Sequence, residues 1–239
     1  MNKNVLLLIG LLSIAFSVNA QSWSIGDKVY VGHSWTVGNR PKNSSNMKYA
    51  FHPSFQVGRN AVYHFNPFVS FGLGTFFSTE GVGFKLDGVS PDTRLEQRMN
   101  YIRVPVFTNI TFGAPKSRLR GRLGLGGSVG FLVGGKSFVE TDHNFISGRK
   151  TRKLINSKVD AGAIASLGLS VRVADGLLLN HDLNYYHGFV KNEYEVGISG
   201  VSSSFTHRNL GLSMGFLING KAIKKWKSSM GSKSSKRNR

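Results

Sequence analysis

The pentapeptide GGSVG, Gly126 to Gly130, sets a serine in the G-x-S-x-G spacing of a nucleophile elbow. That spacing does chemistry only on a sharp strand-to-helix turn, which lifts the serine toward a general base. Here it stands inside GLGLGGSVGFLVGG, an alternation with the period of a strand, so Ser128 is expected in mid-strand. The seven histidines show no H-E-x-x-H spacing and cysteine is absent, so neither zinc hydrolysis nor thiolate chemistry is indicated and no cofactor or metal is expected. His33 beside Ser34 and His187 beside Tyr186 are the pairs that could serve acyl transfer at a lipid boundary, but no acid, His and Ser trio declares itself. The stronger signal is electrostatic. Arg118, Arg120 and Arg122 recur at every second position, with Arg103 and Arg172 on comparable stretches and Asp160 and Asp182 as opposing acids. Residues of that kind, if shut away from bulk water, must pair with one another.

The elements that carry them follow from periodicity. In NYIRVPVFTNITFG, Asn100 to Gly113, one alternate series is Ile102, Val104, Val106, Thr108, Ile110, Phe112 and the other is Tyr101, Arg103, Pro105, Phe107, Asn109, Thr111. A period of two is the strand period, with a different environment on each face. The same reading recurs over 28–37, 51–63, 68–79, 118–133, 158–173, 177–187 and 203–216, which predicts eight strands in all. Connections alternate without exception. FNP, GAPKS and ADG are tight turns, whereas GNRPKNSSNMKYA, LDGVSPDTRLEQR, the stretch from Gly134 to Ser157 and VKNEYEVGISGVS are long and polar.

Eight antiparallel strands of about ten or more residues, with short turns at one rim and long loops at the other, describe a transmembrane up-and-down β-barrel of the bacterial outer membrane. A soluble β-sandwich also alternates, but its strands are usually about five or six residues and its long loops need not share a rim. On the barrel reading the greasy face of each strand meets lipid and the arginine-bearing face meets the lumen. An eight-stranded lumen is filled by its own side chains, so a structural polar core of Arg103, Arg118, Arg120, Arg122, Asp160, Arg172 and Asp182 is expected in place of an aqueous pore. Glu80, Gln56, Asn109 and Asn184 share the inward parity. His33, His181 and His187 fall on the lipid-facing parity, where the first and last suit the membrane interface.

The ends of the chain agree with export. Lys3 precedes VLLLIGLLSIAFSV and the small-residue end VNA, an export signal with cleavage expected after Ala20. At fourteen residues the run falls short of the roughly 20 of a membrane-spanning helix. Residues 1–20 are therefore read as a signal peptide, 21–219 as the barrel and 220–239 as a basic tail. The formal charge of +19 drops to +18 without Lys3, and the eight Lys and Arg of the tail leave about +10 for the barrel. An exported chain seldom meets nucleic acid, so the expected partners of this charge are outer-membrane lipid and lipopolysaccharide phosphates. Because an even strand count returns the chain to the rim where it began, both termini are expected in the periplasm. Within the tail Ile223, Trp226 and Met230 fall at spacings of three and four, an apolar stripe among lysines that suits an interfacial helix.

YIRVPVFTNITFG followed by a glycine-rich strand, then VDAGAIASLGLSVRV and LLLNHDLNYYHGFVKN, resembles the PorT-like outer-membrane β-barrel domain family over about Trp23 to Asn219. The basic tail extends past that family's usual ending. The resemblance implies an outer-membrane barrel and, for members implicated in protein secretion and surface motility, partners in a secretion or envelope assembly. The sequence thus points to a non-enzymatic barrel with a structural or partner-binding role. A lipid A-modifying outer-membrane enzyme using His33, His181 or His187 is the alternative.

Overall fold

The computed structural model describes residues 22–38, 47–86, 94–141, 144–150, 157–196, 201–220 and 222. The signal segment and nearly all of the tail, Ile223, Trp226 and Met230 included, lie outside the described residues. The long strands are β1 (Ser22–Gly38), β3 (Pro53–His64), β4 (Val69–Leu86), β5 (Arg94–Phe112), β6 (Leu119–Thr141), β8 (Val159–Ala174), β9 (Leu177–Gly188) and β11 (Val201–Asn219). Each pairs antiparallel with the next, and β1 pairs with β11 from Ser24–Asn219 to Gly38–Phe205, which closes the ring. The protein is therefore an eight-stranded antiparallel up-and-down barrel. No helix among the described residues is long and apolar enough to cross a membrane, and in a barrel the strands make the crossing.

Three short strands, β2 (Met47–Ala50), β7 (Asn144–Lys150) and β10 (Asn192–Val196), lie in stretches expected to be loops. They pair with the ends of β4, β6 and β11, all at the long-connection rim, so backbone pairing continues there beyond the eight-stranded ring. β4, β5 and β6 are longer than expected for the same reason. Their outer ends lose the greasy alternation that marked the strands in sequence while backbone pairing goes on. The β5–β6 register shifts between Asn100, which pairs with Gly134, and Tyr101, which pairs with Leu132, so Val133 is the extra residue of a bulge; nearby, Gly135 takes a φ of 137°, a conformation other residues rarely adopt.

The parity read from sequence holds along the wall. Leu125, Leu167, Val106, Leu212 and Val31 point outward and are exposed in the isolated chain, whereas Arg103, Asn109, Asp160 and Asp182 point inward and are buried. Two aromatic bands flank the greasy belt. Trp23, Tyr63 and Phe65 meet in tilted and edge-to-face contacts near the short-turn rim, and Trp35, Phe51, Tyr185 and Phe189 gather near the other. Such bands sit at the two membrane–water interfaces. At the short rim the turns are tied by local bonds: Asn66 Oδ1 accepts from the backbone N–H of Phe68 and of Val69, each at 2.8 Å, and Gly113 and Gly176 adopt positive φ.

Candidate functional site

The lumen of this barrel is crossed by two ion clusters. In the one nearer the long-connection rim, Arg103 on β5 donates from Nε and Nη2 to the two oxygens of Glu80 on β4, both at 2.6 Å, and from Nη2 to Asp160 Oδ2 on β8 at 2.8 Å. Ser78 donates to Glu80 at 2.5 Å and Tyr186 to Asp160 at 2.8 Å. The guanidinium lies between the rings of Tyr186 and Tyr101, 4.3 and 5.0 Å from their centroids. One cation between two carboxylates leaves a net negative charge, offset by the hydroxyl donors and by the cationic cluster below.

That lower cluster is built on Asp182 of β9. Arg122 of β6 donates to both of its oxygens, at 2.5 Å from Nη2 to Oδ1, and Lys28 of β1 sits 3.1 Å from Oδ2. Asp182 thus ties together strands from three parts of the ring. Ser213 and Asn184 bond to each other at 2.8 Å beside it. Glycines on the facing strands supply the room. A Cβ at Gly168 would stand 2.3 Å from Asp182 Oδ1, and one at Gly162 would stand 2.7 Å from the Tyr186 ring. The inward glycines that gave the sequence its unusual alternation are the space these charged and aromatic side chains occupy.

The structure divides the seven residues expected in the polar core. Arg103 and Asp160 meet in the upper cluster and Arg122 and Asp182 in the lower. Arg118, Arg120 and Arg172 pair with no carboxylate among the described residues. Arg118 is exposed at the turn before β6, and Arg120 and Arg172 reach the short-turn rim, where they donate to the carbonyls of Pro67 and Pro115, each at 2.7 Å. The correction has a geometric cause, since period two assigns a face and not a height, and these three stand at the strand ends. Lys28 was missed as a partner although its parity, opposite Val29 and Val31, already turned it inward.

The acyl-transfer pairs are split by the wall. Ser34 is buried inward with its hydroxyl 2.9 Å from the Gly81 carbonyl, whereas His33 faces outward, stacked between Trp35 and Phe51. Tyr186 points inward to Asp160, and His187 lies outward with its Nδ1 3.3 Å from the Tyr185 hydroxyl. His33 and His187 thus belong to the aromatic band near the long-connection rim. His181 faces outward in the greasy belt, level with Leu169 and Met214, and nothing in the structure explains it. Ser128 is buried in mid-strand in register with Pro105. Among the described residues no group of three His, Asp or Glu could hold a metal.

One feature of the outer face escaped the sequence reading. Asp27 of β1 and Arg59 of β3 share the lipid-facing parity, and Arg59 donates from Nε to Asp27 Oδ1 at 2.6 Å and from Nη2 to Oδ2 at 3.2 Å. They stand between Ile25 and Val29 on one strand and Val57 and Ala61 on the other. The two-point geometry makes the pair neutral as a unit, which lowers the cost of placing it against hydrocarbon.

A family profile described as "Outer membrane protein beta-barrel domain" matches residues 12–194. No curated protein matches the sequence. Among solved structures, Neisserial surface protein A is 15% identical with a TM-score of 0.40, covering 82% of this chain and 95% of its own. OprG from Pseudomonas aeruginosa is 13% identical with a TM-score of 0.45, covering 81% and 95%. Outer membrane protein W of E. coli is 13% identical with a TM-score of 0.39, covering 82% and 97%.

Proposed function

Because the chain belongs to the outer membrane protein β-barrel domain family, we propose that it serves the outer membrane as a structural or partner-binding barrel, working through its rims. The finer setting, a secretion or envelope assembly, follows the PorT-like resemblance. The observation that carries the reading is the cross-linked lumen: Arg103 joins β4, β5 and β8, and Asp182 joins β9, β6 and β1. Such ties brace the wall and take up the polar groups that a conduit would leave to water. The recognition surfaces left are the long connections and the short-turn rim. We place the long connections outside the cell, against lipopolysaccharide, and both termini in the periplasm, as the usual rim asymmetry of these barrels supports.

Affinity capture of the full-length protein from detergent-solubilised membranes, with lipid A mass spectrometry of cells with and without the gene, tests this reading. Co-purifying envelope proteins with an unchanged lipid A profile are expected. A lost or gained acyl chain with no co-purifying protein would overturn the reading in favour of lipid A modification.

A further inference from the structure

We propose that the short-turn rim contains a binding site for a small phosphate-class anion, held by Arg120 and Arg172. At this rim the lumen widens into a vestibule of about 350 Å³, within the size range of small-molecule sites, roughly 300–1,000 Å³. Its lining carries four arginines, Arg118, Arg120, Arg122 and Arg172, against a single acid, Asp175. Arg122 is already neutralised by Asp182. Among the described residues none of the other three has a carboxylate partner, and Asp175 pairs with none of them. Three like charges, with Arg120 and Arg172 half-buried and Arg118 exposed, therefore line one concave space in which none is paired with an acid among the described residues, and a bound anion relieves their repulsion.

The guanidiniums are also held in place. Arg120 donates from Nη2 to Pro67 O at 2.7 Å and to Thr111 O at 3.5 Å, and its face lies 5.6 Å from the Phe68 ring centroid. Arg172 donates from Nη2 to Pro115 O at 2.7 Å. Different turns thus fix two forks by one arm each and leave their other N–H groups to a ligand. Arg120 Nε is buried with no hydrogen-bond partner. An arginine held by carbonyls keeps its full charge, so these contacts position the group without satisfying it. Fork-shaped donors match the tetrahedral oxygens of phosphate, and His64 and Ser70 line the same space with neutral polar groups. The cavity opens inside the wall and not onto the greasy belt, which favours a soluble phosphate ester or pyrophosphate over a lipid headgroup. The tail starts beside it: Asn219 lines the cavity, and a Cβ at Gly176 would stand 2.5 Å from Ala222 Cβ. The site needs only the barrel and its rim, whatever protein partners the envelope supplies.

The test is calorimetric titration of inorganic pyrophosphate into the full-length protein in nanodiscs of zwitterionic lipid. A parallel arm uses discs containing phosphatidylglycerol. Saturable binding of one pyrophosphate per barrel is expected in zwitterionic discs, weakening with salt. Arg120→Gln and Arg172→Gln should each lower the affinity about tenfold or more, because each removes charge-assisted bonds. Lys116→Gln, on the adjoining turn, should change it less than about twofold. Pyrophosphate binding that phosphatidylglycerol displaces would assign the same arginines to a headgroup phosphate. Each variant is first checked for the folded-barrel gel shift, and Arg118→Gln, exposed at the rim, serves should either other variant fail to fold. Absence of saturable binding, or equal binding by the folded arginine variants and the parent, would overturn the proposal.

Discussion

Replacing Arg103 by Met asks whether the upper ion cluster holds the barrel together. The substitution keeps most of the aliphatic volume but leaves Glu80 and Asp160, both at most 1% exposed, without the cation that joins them. Removing one partner of a buried pair costs about 3–5 kcal/mol, and here two carboxylates lose their shared partner, so the upper end of that range is expected. Tyr186→Phe removes only the 2.8 Å bond to Asp160 and should cost about 1.5–3 kcal/mol. Lys116→Ala, exposed on the turn before β6, should stay within about 0.5 kcal/mol. The triple variant Arg103→Met/Glu80→Gln/Asp160→Asn, which removes the charges together, should regain most of the loss. Urea titration of the protein in lipid vesicles, read by the gel shift of folded barrel against boiled chain, ranks the four. Arg103→Met no worse than Lys116→Ala, or a triple variant no better than the single, would refute the view that the pairing of these charges carries the stability.

One further expectation rests on the structure and two on the sequence. Asp27→Leu and Arg59→Leu should each destabilise the barrel in lipid more than the double variant does, since a lone charge would then face hydrocarbon; three equal effects in the same urea titration would contradict this. Trypsin added to intact cells should cut within GRKTRK, residues 148–153, and protection until the outer membrane is broken would invert the topology proposed here. A peptide of residues 221–239 should gain helicity and a blue-shifted Trp226 emission on anionic vesicles, less so at high salt. Emission from water-exposed Trp226 on those vesicles at low salt would exclude the interfacial helix.

The ring and its inside–outside assignment were legible because lipid and lumen impose opposite demands on alternate residues. The run Ile102 to Phe112 shows both at once, Val106 and Ile110 outward and Arg103 and Asn109 inward. Partnership was harder to read. Arg103 and Asp160 are 57 positions apart and Lys28 and Asp182 more than 150, and which inward residues meet depends on stagger between strands, which a single strand's periodicity does not contain. Arg118, Arg120 and Arg122 show the cost of this: identical in type and parity, one joins the buried core and two reach the rim. β2, β7 and β10 went unread because, at four, seven and five residues, they are too short for an alternation to declare itself.

The seam between β1 and β11 bears on how the chain could be rewired. Ser22 and Asn219 lie side by side, with the Asn219 amide donating to the Ser22 hydroxyl at 3.1 Å. Each of the eight long strands is hydrogen-bonded to two other long strands, and this seam differs from the other contacts of the ring in lacking a direct peptide connection. A chain with Asn219 joined to Ser22 by a short linker, and opened within any of the long connections, would write the same circle from a different starting point. The order of strands along the gene is then one of several equivalent cuts through a closed ring, and the cut found here falls between Asn219 and Ser22 at the short-turn rim.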